Sequence, residues 1–313
     1  MKVKNRKVVV VGAGSVGTTY IYALLNSGLA TEIALIDVDK SRVEGEVMDL
    51  SHGLPFIPPI HIRAGGYSDC ADANLIVVTA GAKQTHGQSR MELVKENAKI
   101  VKSICRSLKN QNSKAILVMV TNPVDILTRL TISELRWPRK RIIGSGTVLD
   151  SARFKYMLSQ HCNVDARNVH AYILGEHGDS EVPAWSMTHI AGVPIREYCL
   201  TCNICDYKEC HKHIADDVRQ SAYHIIDYKG STYYGIGLSL VRITEAILRN
   251  ENSILTVSTL LKGEYGLNDV CLSVPCIVGE KGVKQIIEAP LDEEETAGLK
   301  TSARTLIQAY QKI

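Results

Sequence analysis

The sequence predicts an α/β fold, a doubly wound parallel sheet followed by a mixed α+β domain, and two observations predict it. Residues 1–146 alternate short β-branched apolar runs with segments of helical periodicity, the rhythm of repeated βαβ units. Those runs are apolar throughout instead of alternating, as strands buried on both faces must be. The composition permits such a core. Of 313 residues 45% are hydrophobic and 22% charged, which excludes a disordered chain.

Taken in order, strands are expected at Lys7–Val11, Glu32–Asp37, Asn74–Thr79, Lys114–Thr121 and Arg141–Gly144. Helices are expected between them, near Val16–Ser27, Arg42–Leu50, Arg90–Asn110 and Ile126–Leu135. From residue 147 to 313 the regular alternation stops. A helix over Leu149–His161 leads to a strand near Asn168–Leu174, and a long helical stretch follows near Lys208–Tyr228. A helix at Ile236–Arg249, strand-like Ser253–Leu261 and Val270–Val278, and a closing helix from Asp292 to Gln311 complete the second domain. The boundary is placed at residues 146 and 147.

Charge and cysteine usage narrow the function. Lys plus Arg total 36 against 33 Asp plus Glu, a net charge of +3; no basic stripe stands out, so a nucleic-acid partner is not expected. Basic residues precede an uncharged stretch from Val8 to Thr31, but Gly12, Gly14, Gly17 and Gly28 interrupt it too often for a membrane span or a secretion signal. No membrane partner is expected, and the expected compartment is the cytoplasm. Nine cysteines without secretory context read as free thiols. Cys199, Cys202, Cys205 and Cys210, followed by His211 and His213, have spacing that zinc or an iron–sulfur cluster would accept, yet free thiols are the default and no metal is expected.

Gly12-Ala13-Gly14-Ser15-Val16-Gly17 joins the first strand to the first helix, and Asp37 stands at the end of the second strand, twenty residues past Gly17. A lone G-x-G-x-x-G is weak; strand, turn, helix and carboxylate together specify a dinucleotide site. Gly12 permits the tight turn, Gly14 lets backbone approach a pyrophosphate, and Gly17 lets the helix pack closely. Asp37 accepts hydrogen bonds from ribose hydroxyls and repels a 2′-phosphate, which favours NAD over NADP. Residues 1–146 are therefore read as a dinucleotide-binding domain.

His177 lies in Gly175-Glu176-His177-Gly178-Asp179, a tight loop at a strand end, and imidazole is the side chain suited to exchanging a proton near neutrality. Asp150 and Arg153 stand three apart on one helical face. Arg153 offers a planar fork for a carboxylate, and Asp150 is placed to bond the second ring nitrogen of His177. By proximity in the chain Asp179 competes for that role. Lys83 to Met91 carries Gln84, Gly87 and Arg90 in a polar segment after a strand.

Gly12–Gly17, Asp37, Ala80-Gly81-Ala82, Gln84, Arg90, Thr121-Asn122-Pro123-Val124-Asp125, Leu149-Asp150-Ser151-Ala152-Arg153 and the His177 loop occur in order. With Lys229-Gly230-Ser231-Thr232 and Asn252-Ser253-Ile254-Leu255, they make the whole chain resemble the bacterial-type L-lactate dehydrogenases of the lactate/malate dehydrogenase superfamily. The resemblance implies a Rossmann domain and a catalytic, substrate-binding domain, a reaction between pyruvate and L-lactate in glycolysis and fermentation, and a homotetramer. It selects Asp150 as the partner of His177 and makes residues 83–91 a lid bringing Arg90 to the substrate carbonyl. It places Gln84, Asn122, Asp125, Arg153 and Thr232 at the substrate, with a cis bond before Pro123. Val16, Arg42, Tyr67, Gly81, Ala82, Ser103, Thr121, Asn122 and Ser145 take positions at the cofactor. Where malate dehydrogenases present Arg, Gln84 offers a neutral amide, so a second substrate carboxylate would be left unpaired at a cost of several kcal/mol. Some relatives are activated allosterically by fructose 1,6-bisphosphate through an Arg and a His. His170 matches the His, but Lys155 replaces the Arg and binds phosphate without a bidentate fork, so weaker activation is expected.

Overall fold

The computed structural model describes residues 5–82, 90–202 and 207–313. The first half lays down β1 (Lys7–Val11), α1 (Ser15–Ser27), β2 (Glu32–Ile36), α2 (Lys40–His52), β3 (His61–Ala64), β4 (Leu75–Val78), α3 (Arg90–Lys109), β5 (Ile116–Met119), α4 (Val124–Leu135) and β6 (Ile142–Gly144). The second continues with α5 (Val148–Cys162), β7 (Val169–His170), β8 (Ile173–Leu174), β9 (Val182–Pro183), β10 (His189–Ile190), β11 (Val193–Pro194) and α6 (Ile195–Cys202). It closes with α7 (Tyr207–Lys229), α8 (Tyr234–Leu248), β12 (Ser253–Lys262), β13 (Asn268–Gly279), β14 (Gly282–Ile286) and α9 (Glu293–Tyr310).

The first six strands pair in parallel in the order β3-β2-β1-β4-β5-β6. The order reverses between β1 and β4, and their C-terminal ends open the crevice where a dinucleotide binds in such sheets. Side-chain alternation sorts each apolar run into two cores. Val8, Val10, Leu75, Val77, Ile116 and Val118 join α1 and α8 on one face, whereas Val9, Val11, Ile76, Val78, Leu117 and Met119 join α3 and α4 on the other.

The strands of the second half extend this sheet. β12 pairs antiparallel with β6 at Ser258 and Gly144, and β13 and β14 follow, giving nine strands in all. The Tyr20 hydroxyl of α1 meets Thr244 Oγ1 of α8 at 2.6 Å in the buried interface. The segment expected as one strand over Asn168–Leu174 divides into β7 and β8, which belong to different small sheets, with Ala171 and Tyr172 linking them as Val169, Ala171 and Ile173 face one core and Tyr172 and Leu174 another. Among the elements absent from the expectation is β3, an edge strand whose His61-Ile62-Arg63-Ala64 has a single buried side chain. No helix among the described residues is long and apolar enough to cross a membrane.

Candidate active site

At the N-terminal half of the site the backbone is the reagent. Gly12 has φ +119°, and a Cβ there would lie 2.5 Å from the Ala80 nitrogen; a Cβ on Gly17 would lie 2.0 Å from the Gly12 carbonyl oxygen. Glycine is therefore required at both for the turn to close. A Cβ on Gly14 would meet nothing within 4 Å, so this turn presents bare backbone to open space. Gly14 also caps α1, with no side chain satisfying the first N–H groups and no acidic residue in the first turn. The unpaired N–H groups and the helix dipole then face that space, which suits a diphosphate. Asp37 Oδ2 accepts from the Ala13 amide at 2.6 Å and Oδ1 from that of Asp39 at 3.1 Å. This holds the carboxylate beside the glycine turn. Arg42 lies on α2, with its guanidinium 3.8 Å from Glu46. Burial first, and then smaller contributions from Cys70 and the Asp37 charge, push the Tyr67 phenol up to about 12.

Gly81 and Ala82 follow β4. Their conformation is set by a residue that motif reading did not single out, Asn97 of α3. Its Oδ1 accepts from the Ala82 amide at 2.7 Å and its Nδ2 donates to the Asn122 carbonyl at 2.9 Å, tying two loops together. Thr121 donates its hydroxyl to the Ala80 carbonyl at 2.8 Å, and the Ser145 amide is bonded to Met119. Ser103 stands exposed on α3. The Asn122–Pro123 bond is cis, and Asn122 is exposed while Asp125 is buried. Val16 is half-buried on the first turn of α1, and Thr232 half-buried just before α8.

Three unlike elements converge on the His177 loop. The Gly175 amide donates to the Ser273 carbonyl of β13 at 2.9 Å, the Glu176 amide to Ser302 Oγ of α9 at 2.6 Å, and the His177 amide to Asp125 Oδ2 of α4 at 2.8 Å. Three successive N–H groups held this way leave the loop little freedom. On the ring side, His177 Nδ1 lies 2.5 Å from Asp150 Oδ2. Arg153 Nη1 donates to the other oxygen, Oδ1, at 2.7 Å. Asp150 is 4% exposed, while His177 keeps 25%. One buried carboxylate thus joins imidazole and guanidinium. Asp179, the competitor in the chain, instead accepts from the Tyr223 hydroxyl at 2.7 Å.

The electrostatics follow from this geometry. Burial alone would lower the affinity of His177 for a proton, but the Asp150 carboxylate, with smaller help from Asp125 and Glu181, lifts the imidazole to about 9. Burial would raise Asp150; His177 and Arg153 overcome it and hold the carboxyl below its ordinary value. Glu181, also missed by motif reading, is pushed up to about 8 by burial and then by the Asp150 charge.

Asp125, expected at the substrate, is 2% exposed and is directed at the His177 backbone. Gln84 lies outside the described residues, and Arg90 opens α3 with only its backbone described. Lys155 sits beside Tyr172, its ammonium 5.4 Å from the ring centre. Burial, and then the charge of Arg242, lower its affinity for a proton. His170 is exposed on β7, across from His189 of β10. In the cysteine run, Cys199 is buried, whereas Cys205 and the side chains of Cys202 and Cys210 lie outside the described residues.

Known proteins place these groups in a family. Residues 6–144 match the lactate/malate dehydrogenase NAD binding domain, and residues 147–313 match the lactate/malate dehydrogenase alpha/beta C-terminal domain. The chain belongs to the lactate/malate dehydrogenase family. Its relatives include the L-lactate dehydrogenase of Treponema denticola, 54% identical over 100% of both chains. The L-lactate dehydrogenase of Acetivibrio thermocellus is 53% identical over 96% of this chain and 95% of the relative. The crystal structure of the minor L-lactate dehydrogenase from Enterococcus mundtii, in its ligands-bound form, superimposes with a TM-score of 0.96 at 44% identity, covering 99% of this chain and 98% of that one. As a member of this family the chain is an oxidoreductase with an NAD-binding domain.

Proposed function

We propose that the chain is a cytoplasmic, NAD-dependent L-lactate dehydrogenase reducing pyruvate to L-lactate reversibly in glycolysis and fermentation. Residues 1–146 serve the dinucleotide and residues 147–313 the substrate. The observation that carries the reading is the single Asp150 carboxylate joining His177 and Arg153, at 2.5 and 2.7 Å. An acid–base group and a carboxylate clamp are thereby held at one fixed separation.

NADH, when bound, would supply the hydride; the turn that Gly12 and Gly17 close and Gly14 leaves open would hold its diphosphate, and Asp37 its ribose, in preference to a 2′-phosphate. Arg153 keeps Nη1 on Asp150 and turns its remaining donors to the substrate carboxylate. With Nδ1 on Asp150, His177 gives the Nε2 proton to the carbonyl oxygen of pyruvate and takes it back from lactate. Asn122 and Thr232 line the substrate, and Arg90 arrives with residues 83–91 to stabilise charge developing on the carbonyl oxygen while water is excluded.

Gln84 decides the acid. Arg153 balances one carboxylate and Asp150 balances protonated His177, so the second carboxylate of oxaloacetate would face a neutral amide. The assembly is a homotetramer, and Lys155 with His170 forms a weak site for fructose 1,6-bisphosphate. Steady-state NADH oxidation tests the reading: pyruvate is strongly preferred over oxaloacetate, the preference moves toward oxaloacetate in Gln84→Arg, and the sugar bisphosphate lowers the KM for pyruvate. Equal turnover of both acids by the unmodified protein overturns the substrate assignment. A KM for pyruvate indifferent to the sugar bisphosphate removes the effector site.

A further inference from the structure

We infer that Asp125 is a positioning residue for His177, holding the loop by the His177 backbone N–H and, when ionised, biasing the imidazole toward its protonated form. The inference rests on the functional reading above. The geometry is direct. Asp125 sits in the first turn of α4, three residues after the exposed Asn122, and its Oδ2 accepts from the His177 amide at 2.8 Å. One short segment of chain therefore presents an amide on one side and a carboxylate behind the catalytic loop on the other.

The second oxygen, Oδ1, is buried and makes no hydrogen bond of good geometry; Ser258 Oγ, the hydroxyl that faces it, is likewise buried and unbonded, so its dipole only partly offsets the burial. A buried carboxyl with an unsatisfied oxygen is poorly solvated as an anion and readily keeps a proton. Behind it lies a cavity of about 240 Å³ lined by Asp125, Arg129, Asp269, Cys271, Leu306 and Tyr310. Arg129 and Asp269 pair at its rim at 2.6 Å.

The neighbours are few. Asp125 faces Ser258 of β12, Cys271 of β13, and Glu176 and His177 of the loop; burial pushes it up to about 6 despite the hydroxyl and the amide. His177 faces Asp150, Asp125 and Glu181. Asp125 therefore changes charge while Asp150 stays ionised, and its ionisation adds a second negative charge behind the imidazole.

The test uses the whole protein with histidine labelled by 15N in the backbone and 13C in the ring, the His177 signals being assigned by their loss in His177→Asn. In the unmodified protein the His177 amide shifts with a midpoint of about 6, following the carboxyl it donates to. In Asp125→Asn, which keeps an oxygen to accept from that amide, this step disappears. The imidazole midpoint then falls by roughly half a unit to one unit, and the alkaline limb of pyruvate reduction moves down with it. An unmoved imidazole midpoint overturns the inference, as does a His177 amide with no step between about pH 5 and 7. If Asp125→Asn does not fold, the amide titration of the unmodified protein decides. Failure of the functional reading is separate, since it appears as unmodified protein that does not oxidise NADH with pyruvate.

Discussion

The two halves of the site are held by different forces. Around Gly12 and Gly17 the determinant is steric: a Cβ on either would fall 2.5 Å or less from backbone atoms, with the Asp37 carboxylate bonded to the turn at the Ala13 amide. Around His177 the determinant is charge, with Asp150, Asp125 and Glu181 acting on one imidazole and Arg153 holding Asp150 ionised. Steric sites fail abruptly, because a methyl group either fits or does not. Electrostatic sites are graded by protonation and move with pH. The difference teaches that one half sets whether cofactor binds, and the other the pH range in which the chemistry runs.

Breaking the electrostatic half has the largest expected effect. Asp150→Asn preserves shape but removes the anion at Nδ1, so the imidazole loses the main cause of its raised proton affinity and the clamp loses its anchor. kcat for pyruvate reduction should fall by roughly 10³–10⁴, with the alkaline limb moving to lower pH. Stopped-flow measurement across pH checks this. A fall that is uniform with pH and leaves the His177 titration in place would reduce Asp150 to a purely structural part.

Breaking the steric half comes next, and two glycines separate shape from space. Gly17→Ala forces its Cβ into the Gly12 carbonyl at 2.0 Å, so the turn itself must shift. Gly14→Ala meets no protein atom within 4 Å, so it should fold as the unmodified chain does and fail only where a diphosphate must approach. NADH affinity in Gly14→Ala, read from nucleotide fluorescence, should weaken by about tenfold to a hundredfold, with the unfolding midpoint unchanged. Full affinity in Gly14→Ala would mean that the cradle lies elsewhere.

The same contrast explains what was legible in the sequence. Glycines and Asp37 work within one βαβ unit, so spacing alone exposed them, and β1, whose five residues are all buried, appeared with its bounds. The Asp150–His177 pairing spans 27 residues and needed the family resemblance to prefer it over Asp179. Asn97, Ser302 and Glu181 carry no local signal: Asn97 and Ser302 are ordinary polar residues whose roles arise from partners 15 and 126 residues away, and Glu181 matters only because the fold buries it beside Asp150 and His177. β3 escaped because an edge strand with a single buried side chain lacks a hydrophobic period, and β9 to β11 because two residues each are too few to show one.

The smallest effect sharpens the comparison, because it asks whether the charged half is held at a cost. Folding raises Asp125 from 3.8 to about 6, so the folded state favours the neutral carboxyl. That contribution to stability is fully present below about pH 3.8 and is lost as pH rises through 6, above which the fold carries a poorly solvated anion. Asp125→Asn carries no such anion. Relative to the unmodified protein it should therefore gain stability between pH 4 and pH 7, on the order of 2 kcal/mol, and then level off. Urea unfolding at several pH values measures the difference. Parallel curves would show that the unfolded chain binds the same proton equally well. A real gain, paired with a lower imidazole midpoint, would show a fold retaining a destabilising charge because the neighbouring base needs it.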